Sequence, residues 1–162
     1  MLYLIVMQRF IVIFILLQLT LSVSLRAQVT HAFHAEALGM GGLYSLSYER
    51  TFGARQWMLQ PGLSVYAADS KPLIIIPVMF KKAFGKGTHR LETGIGQGFT
   101  FRPDDGIKFF ARGLLLAGWR MQRSDSPWIF RAFYMPYISY LINWQYQHWD
   151  GVGIGYQIGG KS

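Results

Sequence analysis

The sequence predicts an all-β fold, an eight-stranded antiparallel transmembrane up-and-down β-barrel, preceded by a helical signal peptide. Three observations carry this. Apolar residues recur with a period of two rather than about 3.6, the repeat of a strand with two unlike faces. Short stretches rich in Gly, Pro, Asp and Ser interrupt the alternation at even spacing, as consecutive hairpins require. The bulkier of the two faces is too large to fit inside a small barrel.

The segments follow in order. Residues 32–38 form the first, joined by Gly39-Met40-Gly41-Gly42 to residues 43–50. The two could also be one long bulged strand, since glycine often marks a bulge. In 43–50, Tyr44, Leu46 and Tyr48 oppose Ser45, Ser47 and Glu49. In 57–66, Trp57, Leu59, Leu63 and Val65 oppose Gln60, Gly62 and Ser64. Residues 73–82 alternate less clearly. In 91–101, Leu91, Ile95, Phe99 and Phe101 oppose Glu92, Gly94, Gly96 and Gly98. In 111–122, Leu115, Ala117, Trp119 and Met121 oppose Gly118, Arg120 and Gln122. In 128–134, Trp128, Phe130, Ala132 and Tyr134 oppose Arg131, and in 151–158, Val152, Ile154, Tyr156 and Ile158 oppose Gly153, Gly155 and Gln157. Breaker clusters at 53–55, 68–72, 85–87, 102–106 and 124–127 separate them. Pro61, Pro77 and Pro136 each remove a ladder donor and are expected at bulges or rims.

Volume orients the faces. Eight strands with about five residues per face supply about 40 side chains, and an eight-stranded lumen is only just filled by side chains. The Tyr, Leu, Trp and Phe set therefore points to lipid, and the Gly, Ser, Glu and Arg set points inward. Trp57, Tyr66, Trp119, Trp128, Tyr134 and Trp149 sit near segment ends, where interfacial girdles lie. Closure removes the aggregation-prone edges of such apolar strands. An even strand number puts both termini on one side, with short turns after Phe52, Phe84 and Gln122, and leaves the longest connection, residues 139–148, on the opposite, extracellular side.

The first 27 residues read as a secretory leader, with the single basic residue Arg9 before the apolar run 10–17 and a small, polar stretch up to Ala27. The run is too short for a helical anchor, which needs roughly 20 apolar residues. The division is then 1–27 signal peptide and 28–162 barrel domain. The chain has 162 residues, a formal charge of +8 and no cysteine, which excludes disulfides, thiolate metal sites and cysteine catalysis. Its 16% aromatic content excludes a disordered chain.

Inward parity assigns Glu36, Glu49, Glu92, Arg112, Arg120 and Arg131 to a lumen charge network, expected as Glu–Arg pairs because a buried charge needs a partner. Tyr140, Trp144 and Tyr146 in the long connection are candidate contact residues of the type interfaces favour. No catalytic, cofactor-binding or metal-ligating residue is assigned. His31 and His34 are three apart, which puts them on opposite faces of a strand. A lipid hydrolase or acyltransferase would need nucleophile and base within reach, and Ser139, His148 and Asp150 are the residues available for it. Gly94, Gly96 and Gly98 lack the spacing of a dinucleotide fingerprint and read as space-making lumen residues. Lys81, Lys82, Lys86 and Arg90 read as a basic rim touching anionic lipid headgroups.

The run 36–50 (EALGMGGLYSLSYER), the run 85–94 (GKGTHRLETG), Gly118-Trp119-Arg120-Met121-Gln122 and the closing Gly153-Ile154-Gly155-Tyr156 together resemble small Gram-negative outer-membrane β-barrel proteins, eight-stranded and mostly uncharacterised. The resemblance implies an outer-membrane location. Its partners would be outer-membrane lipids and, during insertion, the barrel-assembly machinery, with no cofactor and no nucleic acid. The aromatic on which such barrels usually end is replaced by Ile158 and the tail 159–162. The reading is a membrane barrel with a structural, adhesive or binding role and a filled lumen. The alternatives are a lipid-modifying enzyme and a soluble periplasmic ligand-binding barrel.

Overall fold

The computed structural model describes residues 29–40, 42–53, 56–68, 71–102, 108–139 and 145–159. The leader, Tyr140 and Trp144 lie outside them. The strands are β1 (Thr30–Ala37), β2 (Tyr44–Phe52), β3 (Trp57–Ala68), β4 (Lys71–Phe84), β5 (His89–Arg102), β6 (Lys108–Gln122), β7 (Trp128–Tyr134), β8 (Tyr137–Ser139), β9 (Gln145–Gln147) and β10 (Asp150–Ile158). The ladders are antiparallel throughout, and β1 pairs with β10, from His31 opposite Ile158 to Ala37 opposite Val152. That last pairing closes the sheet.

Ten strands make eight staves. β8 continues β7 along β6 in unchanged register, from Ala117 opposite Tyr134 to Leu114 opposite Tyr137. β9 likewise continues β10, with Asp150 opposite Tyr134 and Gln147 opposite Tyr137. Met135 N–H donates to Trp149 O at 2.7 Å across the gap. The connection expected over 139–148 is thus partly a ladder that extends the barrel wall.

The first hairpin settles the earlier alternative. β1 and β2 are separate strands, closed by the Leu38 N–H to Leu43 O bond of 2.7 Å. At the terminus end the turn 85–88 uses Gly85 and Gly87 at φ of 107° and 86°, a region that L side chains rarely adopt. The prolines differ from expectation. Pro61 and Pro77 lie within strands, where the β2–β3 and β3–β4 ladders lapse and then resume in the same register. These are gaps in hydrogen bonding, because the ring lacks an N–H, and they are not bulges. Pro136 sits in the break between β7 and β8, and its carbonyl accepts from Leu115 N–H at 3.2 Å.

The residue distribution is inside out. Tyr44 is 73% and Leu46 68% exposed, whereas Lys81 is fully buried with Gln60, Glu49 and Glu92. Phe33, Leu63, Ile95, Leu115, Phe130 and Val152 continue the exposed apolar wall. An apolar surface of that extent marks an interaction with something apolar.

Candidate functional site

The lumen is built from the inward positions of each stave. At its centre Arg131 on β7 reaches Glu92 on β5 through two parallel bonds of 3.0 Å, and Glu36 on β1 at 2.8 Å. Arg120 on β6 faces both oxygens of Glu49 on β2, at 2.8 and 3.0 Å. Lys81 on β4 bridges the two groups, 2.7 Å from Glu49 and 2.5 Å from Glu92. Paired contacts to a planar guanidinium give direction as well as attraction. Gln60 completes the linkage by donating to Glu36 at 3.2 Å and accepting from Arg131 at 3.1 Å. Ser45 donates to the remaining Glu36 oxygen at 3.1 Å. Three carboxylates meet three cations, so the formal charges cancel.

Five of the six expected lumen charges meet here, namely Glu36, Glu49, Glu92, Arg120 and Arg131. Arg112 does not. It shares their inward parity, but Leu114 and Leu116 separate it from Arg120 along β6, and among the described residues no carboxylate lies within ion-pair distance. Lys81 was expected on the basic rim and is instead the central cation. Its parity was legible in Ile75, Pro77, Met79 and Lys81, but the run of apolar residues around it masked the alternation. Gly94 opposite makes its room, since a Cβ there would lie 2.8 Å from Lys81 Cγ and 3.0 Å from the Phe80 carbonyl. His34, also inward, packs beside Glu49 with Nε2 at 3.6 Å. His31 faces outward and hydrogen-bonds the Tyr48 hydroxyl.

Toward the hairpin end the lumen turns apolar. Met40, Met79, Leu114, Leu116, Phe133, Met135 and Tyr137 form one buried cluster, with Trp149 packed against it. Trp149 was expected in an interfacial girdle. It approaches Tyr137 edge-on instead, with ring centres 5.9 Å apart, because it shares the inward parity of Gly151. An ionic layer and an apolar layer thus lie in series along the lumen.

At the rim away from the termini the Tyr134 hydroxyl bonds the Tyr146 hydroxyl at 2.7 Å and His148 Nδ1 at 2.5 Å. Tyr146 is 56% exposed and meets the His148 ring edge-on at 4.6 Å. Ser139 pairs with Gln145, three residues from His148 on the other strand of the hairpin. The candidate nucleophile and base are therefore not brought together, and the imidazole is engaged by tyrosines. Below this cluster is a shallow depression of about 420 Å³ on the outer wall, lined by Leu38, Ala117, Ala132, Tyr134, Asp150 and Val152. At the opposite end, aromatic side chains crowd the outer wall: Trp57 stacks on Phe80 at 5.0 Å, His89 on Trp119 at 5.5 Å, and Trp128 meets Tyr156 edge-on at 5.1 Å. Among the described residues no group of three or more His, Cys, Asp and Glu could hold a metal ion.

No family model matches the chain, and no curated protein does. One solved structure that it resembles is the N-terminal β-barrel domain of Pseudomonas aeruginosa OprF, with a TM-score of 0.58 and 13% identity over 80% of this chain and 96% of that one. At that identity the likeness is one of architecture. The chain has the fold of an eight-stranded outer-membrane barrel domain, all-β, antiparallel and closed.

Proposed function

We propose that the protein is an integral outer-membrane β-barrel with a non-conducting lumen, whose structural, adhesive or binding role is exercised at the rim hairpin. The observation that carries this reading is the inverted distribution of residues. Fully buried Lys81, Glu49, Glu92 and Gln60 stand behind a wall of exposed Tyr44, Leu46, Ile95 and Val152. A soluble barrel would need the opposite arrangement. The ionic layer and the apolar layer together leave ions neither a hydrated path nor an uncompensated charge to follow. Export would rest on residues 1–27 as a cleaved leader, and insertion on the barrel-assembly machinery. Tyr146, with Tyr140 and Trp144 of the same connection, would supply the contact surface. The separation of Ser139 from His148 disfavours the lipid-hydrolase alternative.

Cell fractionation followed by a denaturing gel, unheated and boiled, tests the membrane assignment. The expected result is a detergent-extracted outer-membrane band whose mobility changes on boiling. A soluble band without a shift refutes it. Planar-bilayer recording tests the closed lumen, and sustained porin-scale conductance refutes that part alone.

A further inference from the structure

The terminus end of the outer wall carries cations that the lumen network does not use. Phe52 on β2, Trp57 on β3 and Lys82 on β4 form one rung across three staves. The Lys82 ammonium lies 4.7 Å from the centre of the Trp57 ring and 5.0 Å from that of Phe84. One outward position along β2, the Arg50 guanidinium lies 5.2 Å over Phe52, and its Nε is buried with no hydrogen-bond partner. Among the described residues no carboxylate pairs with Arg50 or Lys82. Of the acids, Glu36, Glu49 and Glu92 are held in the lumen, Asp125 is paired with Arg123 at 2.8 Å in a different turn, and Asp150 is at the opposite rim. The sequence assigns Asp69, Asp104 and Asp105 to the connections between β3 and β4 and between β5 and β6, outside the described residues. Two cations on an aromatic rung thus face the bilayer border with no anion of their own.

We propose that this rung, with Lys82 and Arg50 as its cations and Trp57, Phe52 and Phe84 as its rings, is a binding site for the phosphodiester headgroup of an anionic glycerophospholipid in the leaflet on the terminus side. The proposal rests on the membrane reading above. Three features favour this occupant. Aromatic rings hold a cation by their faces at the level where headgroups lie, leaving its other side open to an anion. The rung is continuous with the apolar wall through Phe80, stacked on Trp57, so that acyl chains lie directly beside it. The absence of a carboxylate among the described residues around the rung gives the ammonium of a zwitterionic lipid nothing to pair with, so the net negative headgroup is preferred.

The test uses the full-length barrel inserted in nanodiscs of mixed phosphatidylcholine and phosphatidylglycerol, with the lipids that remain bound counted by native mass spectrometry. Each juxtamembrane cation is expected to give about fivefold enrichment, hence about 25-fold for the pair. The variant Arg50→Gln/Lys82→Gln is expected to fall to within about twofold of the bulk ratio, a change set by the same per-cation figure. Arg50→Lys/Lys82→Arg is expected to keep the enrichment. Should the double variant fail to insert, Lys82→Gln alone must lose about fivefold. Persistence of enrichment in the Gln variants overturns the site, as does displacement of the lipid by millimolar inorganic phosphate, which would identify a free-anion site. Wild-type protein that inserts into the mixed discs yet shows no preference overturns the site and leaves the membrane reading standing. Failure to insert into discs of any composition overturns both.

Discussion

Replacing Arg131 with methionine probes the closed ionic lumen most sharply. The guanidinium is the cation for Glu36, at 2.8 Å, and one of three cations near Glu92. Once it is removed, Glu92 keeps Lys81 at 2.5 Å, but Glu36 keeps only neutral donors: Ser45 Oγ at 3.1 Å, Gln60 Nε2 at 3.2 Å and Met40 N–H at 3.4 Å. Both partners are at most 1% exposed, so water cannot replace the lost charge. Breaking one side of a buried pair costs about 3–5 kcal/mol. The double variant Arg131→Met/Glu36→Gln removes the orphaned charge, while the introduced amide can still meet Ser45 and Gln60. It should recover about 0.5–3 kcal/mol relative to the sum of the single changes, the range for residues in direct contact. Equilibrium urea unfolding in lipid vesicles, followed by tryptophan fluorescence, measures all four states of the cycle. Arg112→Met is the control. It has inward parity but no ion pair among the described residues, so it should cost less than about 1 kcal/mol. An Arg131→Met cost no larger than that control, or a cycle with no coupling, would refute the network as described.

Three further outcomes follow from other parts of the structure. Gly94→Ala should destabilise the barrel by about 1–3 kcal/mol, because the new methyl meets Lys81 Cγ and the Phe80 carbonyl. Gly98→Ala, whose Cβ would find Leu114 at an ordinary 3.6 Å, should be nearly neutral in the same urea titration. Tyr134→Phe removes the bonds to Tyr146 and His148 at an exposed rim and should cost under about 1 kcal/mol globally. Amide exchange of residues 145–147 should nonetheless quicken, and unchanged exchange there would show that the tyrosine cluster does not hold the hairpin. In the turn 123–127, the hydrogen bonds from Arg123 hold the Asp125 carboxyl below the usual aspartate range. A depressed folded pKa stabilises above the unfolded pKa, and that stabilisation is lost as pH falls through the folded one. NMR titration should find the depression and find it shrinking in molar salt, because the pair is exposed.

Much of the wall was legible because strand faces obey a strict period. Tyr44, Leu46 and Tyr48 against Ser45, Ser47 and Glu49 stated the two faces of β2 without any tertiary knowledge, and volume alone sent the larger set outward. The same logic placed Glu36, Glu92, Arg120 and Arg131 on inward positions. It was weakest where both faces are apolar. In β4 the run from Leu73 to Phe80 hid the parity of Lys81, and in β6 the triplet Leu114-Leu115-Leu116 contributes two lumen residues and one exposed on the outer wall.

Alternation, with the volume of the two faces, determined the fold class, the strand order and which face points outward, because each follows from the local pleat, the turns and the space inside a small barrel. Only the tertiary structure decided which charges meet. Arg131 finds Glu36 and Glu92, and Lys81 finds Glu49, across the lumen between staves that share no ladder. Those encounters depend on how the tilted staves stagger when β1 closes on β10, a property of the whole ring that no single strand encodes. The tertiary structure likewise decided that β8 and β9 prolong the wall. Their register is inherited from β7 and β10 and is absent from the local sequence of the hairpin.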